Sequence, residues 1–162
     1  MIVVSDTSPI NYLVLIECQE LLPTLFERVL IPEAVRRELQ DSETPEPVRQ
    51  FIAAGADWLE VRPAPDIPAT LTHLDAGERE ALALSLSVGA DFVLIDERPG
   101  RQAAEAHGLE AYGTLGVILV AARRRLINAD EALDRLQKTN FRVSPRLLRS
   151  VREDASNRQP EI

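Results

Sequence analysis

Apolar strands alternating with helical segments predict an α/β domain whose parallel sheet is covered on both faces. Two observations carry this. The runs Ile2-Val3-Val4, Val29-Leu30-Ile31 and Phe92-Val93-Leu94-Ile95 are apolar throughout, as strands buried on both faces are. Each is followed by a stretch whose apolar residues recur at helical spacing, as crossover connections require.

The first strand ends at Ser5-Asp6, and Ser8-Pro9 reads as an N-cap with proline at the first helical position. Ile10, Leu13, Val14 and Glu17 continue that helix, and Cys18 falls within it. A short helix is expected over residues 20–26, and Pro32 closes the second strand. Residues 33–40 and 48–54 read as helices, with Gly55 as C-cap of the latter. Residues 58–61 suit a strand, and three prolines between Pro63 and Pro68 mark a surface loop. Asp75 to Val88 is the clearest helix, with Leu82, Ala83 and Leu86 as its apolar stripe and Gly89 as its end. Beyond the strand ending at Asp96, a helix is expected over 101–106, closed by Gly108, and a last strand over 109–112. Thr114 is expected to cap a helix over 115–122, and Asn128 with Glu131 forms a capping-box pattern. Ser144-Pro145 opens a final helix to about Glu153, leaving 154–162 as a frayed tail behind a single domain over 1–153.

The chain has 162 residues, 45% of them hydrophobic and 27% charged, which suits one ordinary globular domain. The lone Cys18 allows no internal disulfide, so a reducing cytoplasm is the expected location. No apolar run approaches a membrane span, and residues 1–6 lack the basic start of a secretory leader. The net charge of −8 argues against a general nucleic-acid coat. The charge is uneven: residues 1–120 hold eight basic and twenty acidic side chains, and residues 121–162 hold ten basic and six acidic. An acidic body therefore carries a basic C-terminal part that includes Arg123, Arg124 and Arg125. Those arginines suit either an RNA backbone or the negative end of a helix.

In parallel sheets the working residues gather beyond the C-terminal strand ends. Asp6 and Asp96 both stand there, so one crevice is expected to hold both. A strand-end aspartate is otherwise a cap or turn residue. Glu38 lies beside apolar Leu39, at the edge of a buried helix face, although a solvated glutamate fits that place too. Glu78 follows Asp75 by three, which serves a capping box or a site equally, and Glu80 is its nearest substitute. Carboxylates crowded in one crevice raise each other's pKa unless a cation joins them, and an all-oxygen set suits Mg²⁺ or Mn²⁺. Two such ions can activate water for phosphoryl displacement. No phosphate-binding glycine loop is present, and His73 and His107 are not spaced as ligands. An aspartyl-phosphate phosphatase is disfavoured, since Ser8 stands where its second aspartate is needed.

The opening I-V-V-S-D-T-S-P-I, the pair Glu38-Leu39, the segment L-D-A-G-E-R-E-A-L-A-L-S-L-S-V-G-A, the strand F-V-L-I-D and the later G-T-L-G-V-I-L together resemble a PIN domain of the VapC-like, PilT N-terminus type. The resemblance implies a three-layer α/β/α fold with a central parallel sheet of four to five strands. It implies a Mg²⁺- or Mn²⁺-dependent ribonuclease, often the toxin of a toxin–antitoxin pair. Asp6, Glu38, Glu78 and Asp96 match the family's acids, with Glu97 an alternative to Asp96. The third acid is usually aspartate in better-known members, and the stretch after Asp96 departs from their pattern. Thr7 and Ser8 match the small hydroxyl residues after the first aspartate. Arg98, Arg101 and Thr114 are expected at the substrate. Expected partners are single-stranded or structured RNA, an antitoxin protein and a second copy in a homodimer. The competing expectation is a PIN-like scaffold that binds RNA or a partner without cleaving it.

Overall fold

The computed structural model describes residues 1–157. Its strands are β1 (Ile2–Ser5), β2 (Arg28–Pro32), β3 (Leu59–Arg62), β4 (Phe92–Leu94) and β5 (Ala111–Tyr112). They form one parallel sheet in the order β3-β2-β1-β4-β5. The helices are α1 (Thr7–Leu15), α2 (Leu21–Leu25), α3 (Glu33–Leu39), α4 (Glu46–Ala54), α5 (Ala76–Val88), α6 (Arg98–Ala106), α7 (Thr114–Arg123), α8 (Ala129–Gln137) and α9 (Pro145–Ser156), with a 3₁₀ turn at Ala69–Leu71.

The strands are apolar on both sides because both sides are covered. Val3 pairs with Val29, and Val4 pairs with both Leu30 and Val93, so each cross-strand row keeps to one face. Val3, Val29, Ile31 and Leu94 share a core with Ile10, Leu13, Leu22 and Ile118, onto which Leu133, Leu136 and Leu148 also pack. On the opposite face Val4 and Leu30 meet Ala81 and Leu84 of α5. Val93 and Ile95 meet Leu82 and Ala83 of α5 and Ala103 and Ala104 of α6. The result is the expected α/β/α sandwich. Among the described residues no helix is long and apolar enough to cross a membrane.

Several local expectations are corrected. Helix α1 begins at Thr7 with Asp6 as N-cap, not at Ser8-Pro9. Pro9 sits within the first turn, where its missing N–H costs no intrahelical bond. The helix also ends before Glu17. Glu17 N–H donates to the Val14 carbonyl and Cys18 N–H to the Leu13 carbonyl, at 3.0 and 2.7 Å, closing the helix with Glu17 at φ +60°. That ending is usually made with glycine, so nothing in the sequence marks it. Cys18 consequently lies in the turn between α1 and α2. The same ending recurs after α7, with Arg125 at φ +58°. Of the expected α5 stripe, Leu82 and Ala83 are buried, but Leu86 is 38% exposed, and Ala81, Leu84 and Ser85 are buried with them. Helix α6 starts at Arg98, with Pro99 in its first turn. Helix α9 runs to Ser156 and takes in residues assigned to the tail; residues 158–162 of that expected tail lie outside the described residues.

Candidate active site

The order of the strands reverses between β1 and β4, which are neighbours in the sheet but far apart in the chain. A crevice opens beyond the strand ends at such a switch point. Asp6 leaves β1 at this place, and Asp96 follows β4. The Asp6 N–H donates to the Leu94 carbonyl at 2.8 Å, tying the two strand ends together.

Asp6 is buried, only 5% exposed. Its side chain caps no N–H of the later first turn of α1. Instead it points toward the first turn of α5. A Cβ built on Gly77 would lie 2.9 Å from Asp6 Oδ1 and 2.8 Å from Glu38 Oε1. Only a residue without a side chain leaves that gap, and into it the carboxylates of β1's end and of α3 converge. Glu38 is held from the other side by the Thr7 hydroxyl, which donates to Oε2. The local sequence explains the arrangement. Val35 and Leu39 bury one side of α3 and leave Glu38 half-buried at its border.

Burial pushes the Asp6 carboxyl up to about 8. The Thr7 N–H opposes that shift, and the charges of Asp75, Glu38 and Glu78 add to it. Glu78, also 5% exposed, is raised to about 7 by burial first, then by the charge of Asp75 and a side-chain hydrogen bond with it, and by Glu97 and Glu38. Asp75 was expected only as a cap. It does accept the Glu78 N–H, at 2.9 Å, and it also belongs electrostatically to the acidic group. Its capping pattern concealed the second role.

Glu80 is occupied elsewhere. Its Oε1 accepts the Ala34 N–H at 3.3 Å and its Oε2 lies 4.0 Å from Arg37, so it serves the N-terminus of α3, whose own N-cap is Pro32.

Asp96 has a different environment. The Thr114 N–H donates to Oδ1 at 2.7 Å and the Thr114 hydroxyl to Oδ2 at 2.8 Å. Thr114 is therefore the first residue of α7 and not its cap; Gly113 is the cap residue, and Asp96 supplies the capping carboxylate from another strand end. A Cβ on Gly113 would lie 2.6 Å from Asp96 Oδ1, so glycine permits this approach. Burial raises the Asp96 pKa; the two Thr114 bonds and the Arg101 charge pull it back, and Glu97 pushes it up. Glu97 itself is exposed as the N-cap of α6.

Two clefts, each of about 370 Å³, share Ser8 and Tyr12 of α1 in their lining. One runs past Thr7 and Glu38 to Asp41, Glu43 and Thr44. The other runs past Asp96 and Glu97 to Asn140, Phe141 and Arg142. Arg98 and Arg101 are exposed on α6 and line neither cleft. Tyr12 and Arg142 do, and neither was singled out in the sequence. His107 bonds the Thr70 hydroxyl through Nε2 and the Ala103 carbonyl through Nδ1, each at 2.8 Å.

Among the described residues no three His, Cys, Asp or Glu side chains are gathered closely enough to hold a metal ion by themselves. The converging pair is Asp6 with Glu38. That pair still fits Mg²⁺ or Mn²⁺: the donors are all oxygen, the gap above Gly77 lies between them, and Mg²⁺ commonly takes one or two carboxylates and fills its remaining positions with water and substrate phosphate.

A family model described as a PIN domain (DUF3368) matches residues 2–157. No curated protein and no solved structure matches the chain.

Proposed function

The chain belongs to the PIN-domain family, and from that premise we propose that it is a Mg²⁺- or Mn²⁺-dependent endoribonuclease acting on RNA phosphodiester bonds. The convergence of the Asp6 and Glu38 carboxylates over Gly77, at the switch point of the sheet, carries the proposal.

Asp6 and Glu38 would hold the cation, with Glu78 close enough to share its field. A divalent cation at such a place activates water and stabilises charge on a displaced phosphate oxygen. The protein's own part is to keep two carboxylates buried and aimed. Thr7 fixes Glu38 through its hydroxyl, and Gly77 leaves the space open. Asp6 and Glu78 hold protons near neutral pH when alone, so cation binding releases them and strengthens as pH rises. Asp96, bound by Thr114, positions the N-terminus of α7 at the rim. Ser8 lines both clefts and is placed to donate to a substrate oxygen.

The test is cleavage of a mixed single-stranded RNA pool with Mg²⁺ or Mn²⁺, with EDTA, and with Asp6→Asn. Activity lost in both controls supports the proposal. No cleavage by the wild-type chain, with no Mn²⁺ binding by calorimetry, overturns it. One observation favours a non-cleaving scaffold: the fourth family acid, Asp96, is already engaged by two hydrogen bonds. Normal folding and RNA binding without metal-dependent cleavage is the result that selects that reading.

The proposal extends to a toxin's role beside an antitoxin protein, and to a homodimer. Light scattering at twice the 18.0 kDa chain mass supports the dimer, and a particle of one chain's mass at high concentration removes it.

A further inference from the structure

The segment joining α8 to α9 is remote in sequence from every acid of the site, yet it forms a wall of the crevice. The Tyr12 hydroxyl donates to Asn140 Oδ1 at 2.8 Å, across 128 residues of chain. The Tyr12 and Phe141 rings meet edge to face, with centroids 4.9 Å apart at 81°. These two contacts fasten the segment to α1. They also set Arg142 into the cleft that Asp96 and Glu97 line.

The charges of that cleft are lopsided. Glu38, Asp41, Glu43, Asp96 and Glu97 line the two clefts, and Arg142 is the one cation lining them among the described residues. Despite these neighbours Arg142 makes no salt bridge within 4.0 Å and no hydrogen bond among the described residues. A guanidinium that faces an acidic cleft without pairing keeps its donor fork available. That fork matches the oxygens of a phosphate. Asn140 has spent its carbonyl oxygen on Tyr12, which leaves its amide N–H groups as donors toward the cleft. The half-buried Tyr12 and Phe141 add aromatic surface of the kind on which unpaired bases stack.

We propose that Asn140, Phe141 and Arg142, fastened by Tyr12, form a clamp for single-stranded RNA, in which Arg142 holds a phosphate next to the one presented to Asp6 and Glu38. The clamp rests on the ribonuclease reading of that site. Arg142 is a binding and positioning residue here, not a catalytic one.

The experiment measures anisotropy of a labelled single-stranded RNA with Mg²⁺ between 50 and 200 mM salt, using Asp6→Asn protein to prevent cleavage. Arg142→Ala and Arg142→Lys are compared in that background, and wild-type cleavage is followed in parallel. Arg142→Ala is expected to weaken binding about tenfold and to lower the slope of log affinity against log salt by about 0.7–1, one phosphate's worth. Arg142→Lys is expected to restore the slope and only part of the affinity. An unchanged slope and affinity in Arg142→Ala overturn the clamp. So does an unchanged slope with a lowered melting temperature, which marks a counter-ion of Asp96 and Glu97. Wild-type cleavage with Arg142-independent binding sinks the clamp and keeps the nuclease. Arg142-dependent binding without wild-type cleavage keeps Arg142 as an RNA contact but overturns the nuclease and the register of the clamp on it. Absence of RNA binding altogether overturns both.

Discussion

Asp6 and Asp96 follow neighbouring parallel strands and read alike in sequence, each closing an apolar run, yet the fold puts them to different uses. Asp96 accepts two hydrogen bonds from Thr114 and caps α7. Asp6 makes no such capping bond and stands buried among Glu38, Glu78 and Asp75, with the neighbouring Thr7 N–H favouring its charge. One carboxylate is satisfied by its own protein and contributes to stability. The other is left short of partners, and that shortage is what a cation would relieve. The strand end decides where an acid stands, and the next helix decides whether it is free. In α7 the cap residue is Gly113, with no side-chain oxygen to offer, so the helix borrows Asp96. Helix α1 takes no side-chain capping bond from Asp6.

The contrast is sharpest in activity. Asp6→Asn is expected to lower metal-dependent RNA cleavage at least ~100-fold, corresponding to about 2.7 kcal/mol of lost transition-state stabilisation, while the chain stays folded. Equal losses from Asp6→Asn and Asp96→Asn, with equal melting temperatures, would erase the distinction between the two sites. Asp96→Ala is expected to cost about 1–2 kcal/mol of stability, since a helix loses its cap and Thr114 its acceptors, lowering Tm by roughly 2–8 °C in a thermal melt.

The third test uses pH in the absence of divalent cations. Asp6 keeps its proton to about 8 when folded and releases it near 3.8 when unfolded. Between those values the unfolded chain binds fewer protons, so its stability falls as pH rises, by up to ~1.4 kcal/mol per unit. Below about pH 4 the contribution of Asp6 is fully present, and above about pH 8 no more is lost. Asp6→Asn removes this titration, so its stability advantage over the wild type should widen from pH 4 to 8 in urea melts. Glu78 adds a similar decline up to about pH 7 in both proteins. A flat difference would mean that Asp6 is not buried as a carboxylic acid. The smallest expected effect is that of Thr114→Val, about 1 kcal/mol, because the hydroxyl is lost and the backbone donor to Asp96 remains.

Much of the architecture is legible in residue types. The apolar runs at Ile2, Val29 and Phe92 announce buried parallel strands, and Asn128 and Ser144 mark helix starts that the structure caps as expected. Legibility fails where one segment settles the local structure of another. Thr114 has the residue type of a cap, but the capping oxygen comes from Asp96, eighteen residues earlier. Glu17 and Arg125 end helices in a conformation that sequence reading seeks at glycine. In the site, the strand-end position pointed to Asp6, and the edge of an apolar face pointed to Glu38. Asp75 was hidden by its genuine capping role, and Arg142 by its distance along the chain, since nothing near residue 142 refers to residue 12. Arg98 and Arg101, singled out beside Asp96, are exposed at the start of α6, and the charge of Arg101 does reach Asp96.

The Asp96–Thr114 contact has a consequence for the order of synthesis. Asp96 is made eighteen residues before its partner, and the segment carrying Asn140 and Arg142 follows later still. At roughly 5–20 residues per second, the emerging chain spends a few seconds with an Asp96 carboxylate that has no helix to cap and a crevice with one wall absent. Asp6 and Glu38 are made earlier, and the helix start that carries Gly77 follows before Asp96. The nascent protein is thus unfinished at this crevice until its last third has joined the fold. On the ribonuclease reading proposed above, the site stays incomplete while most of the chain is still being made.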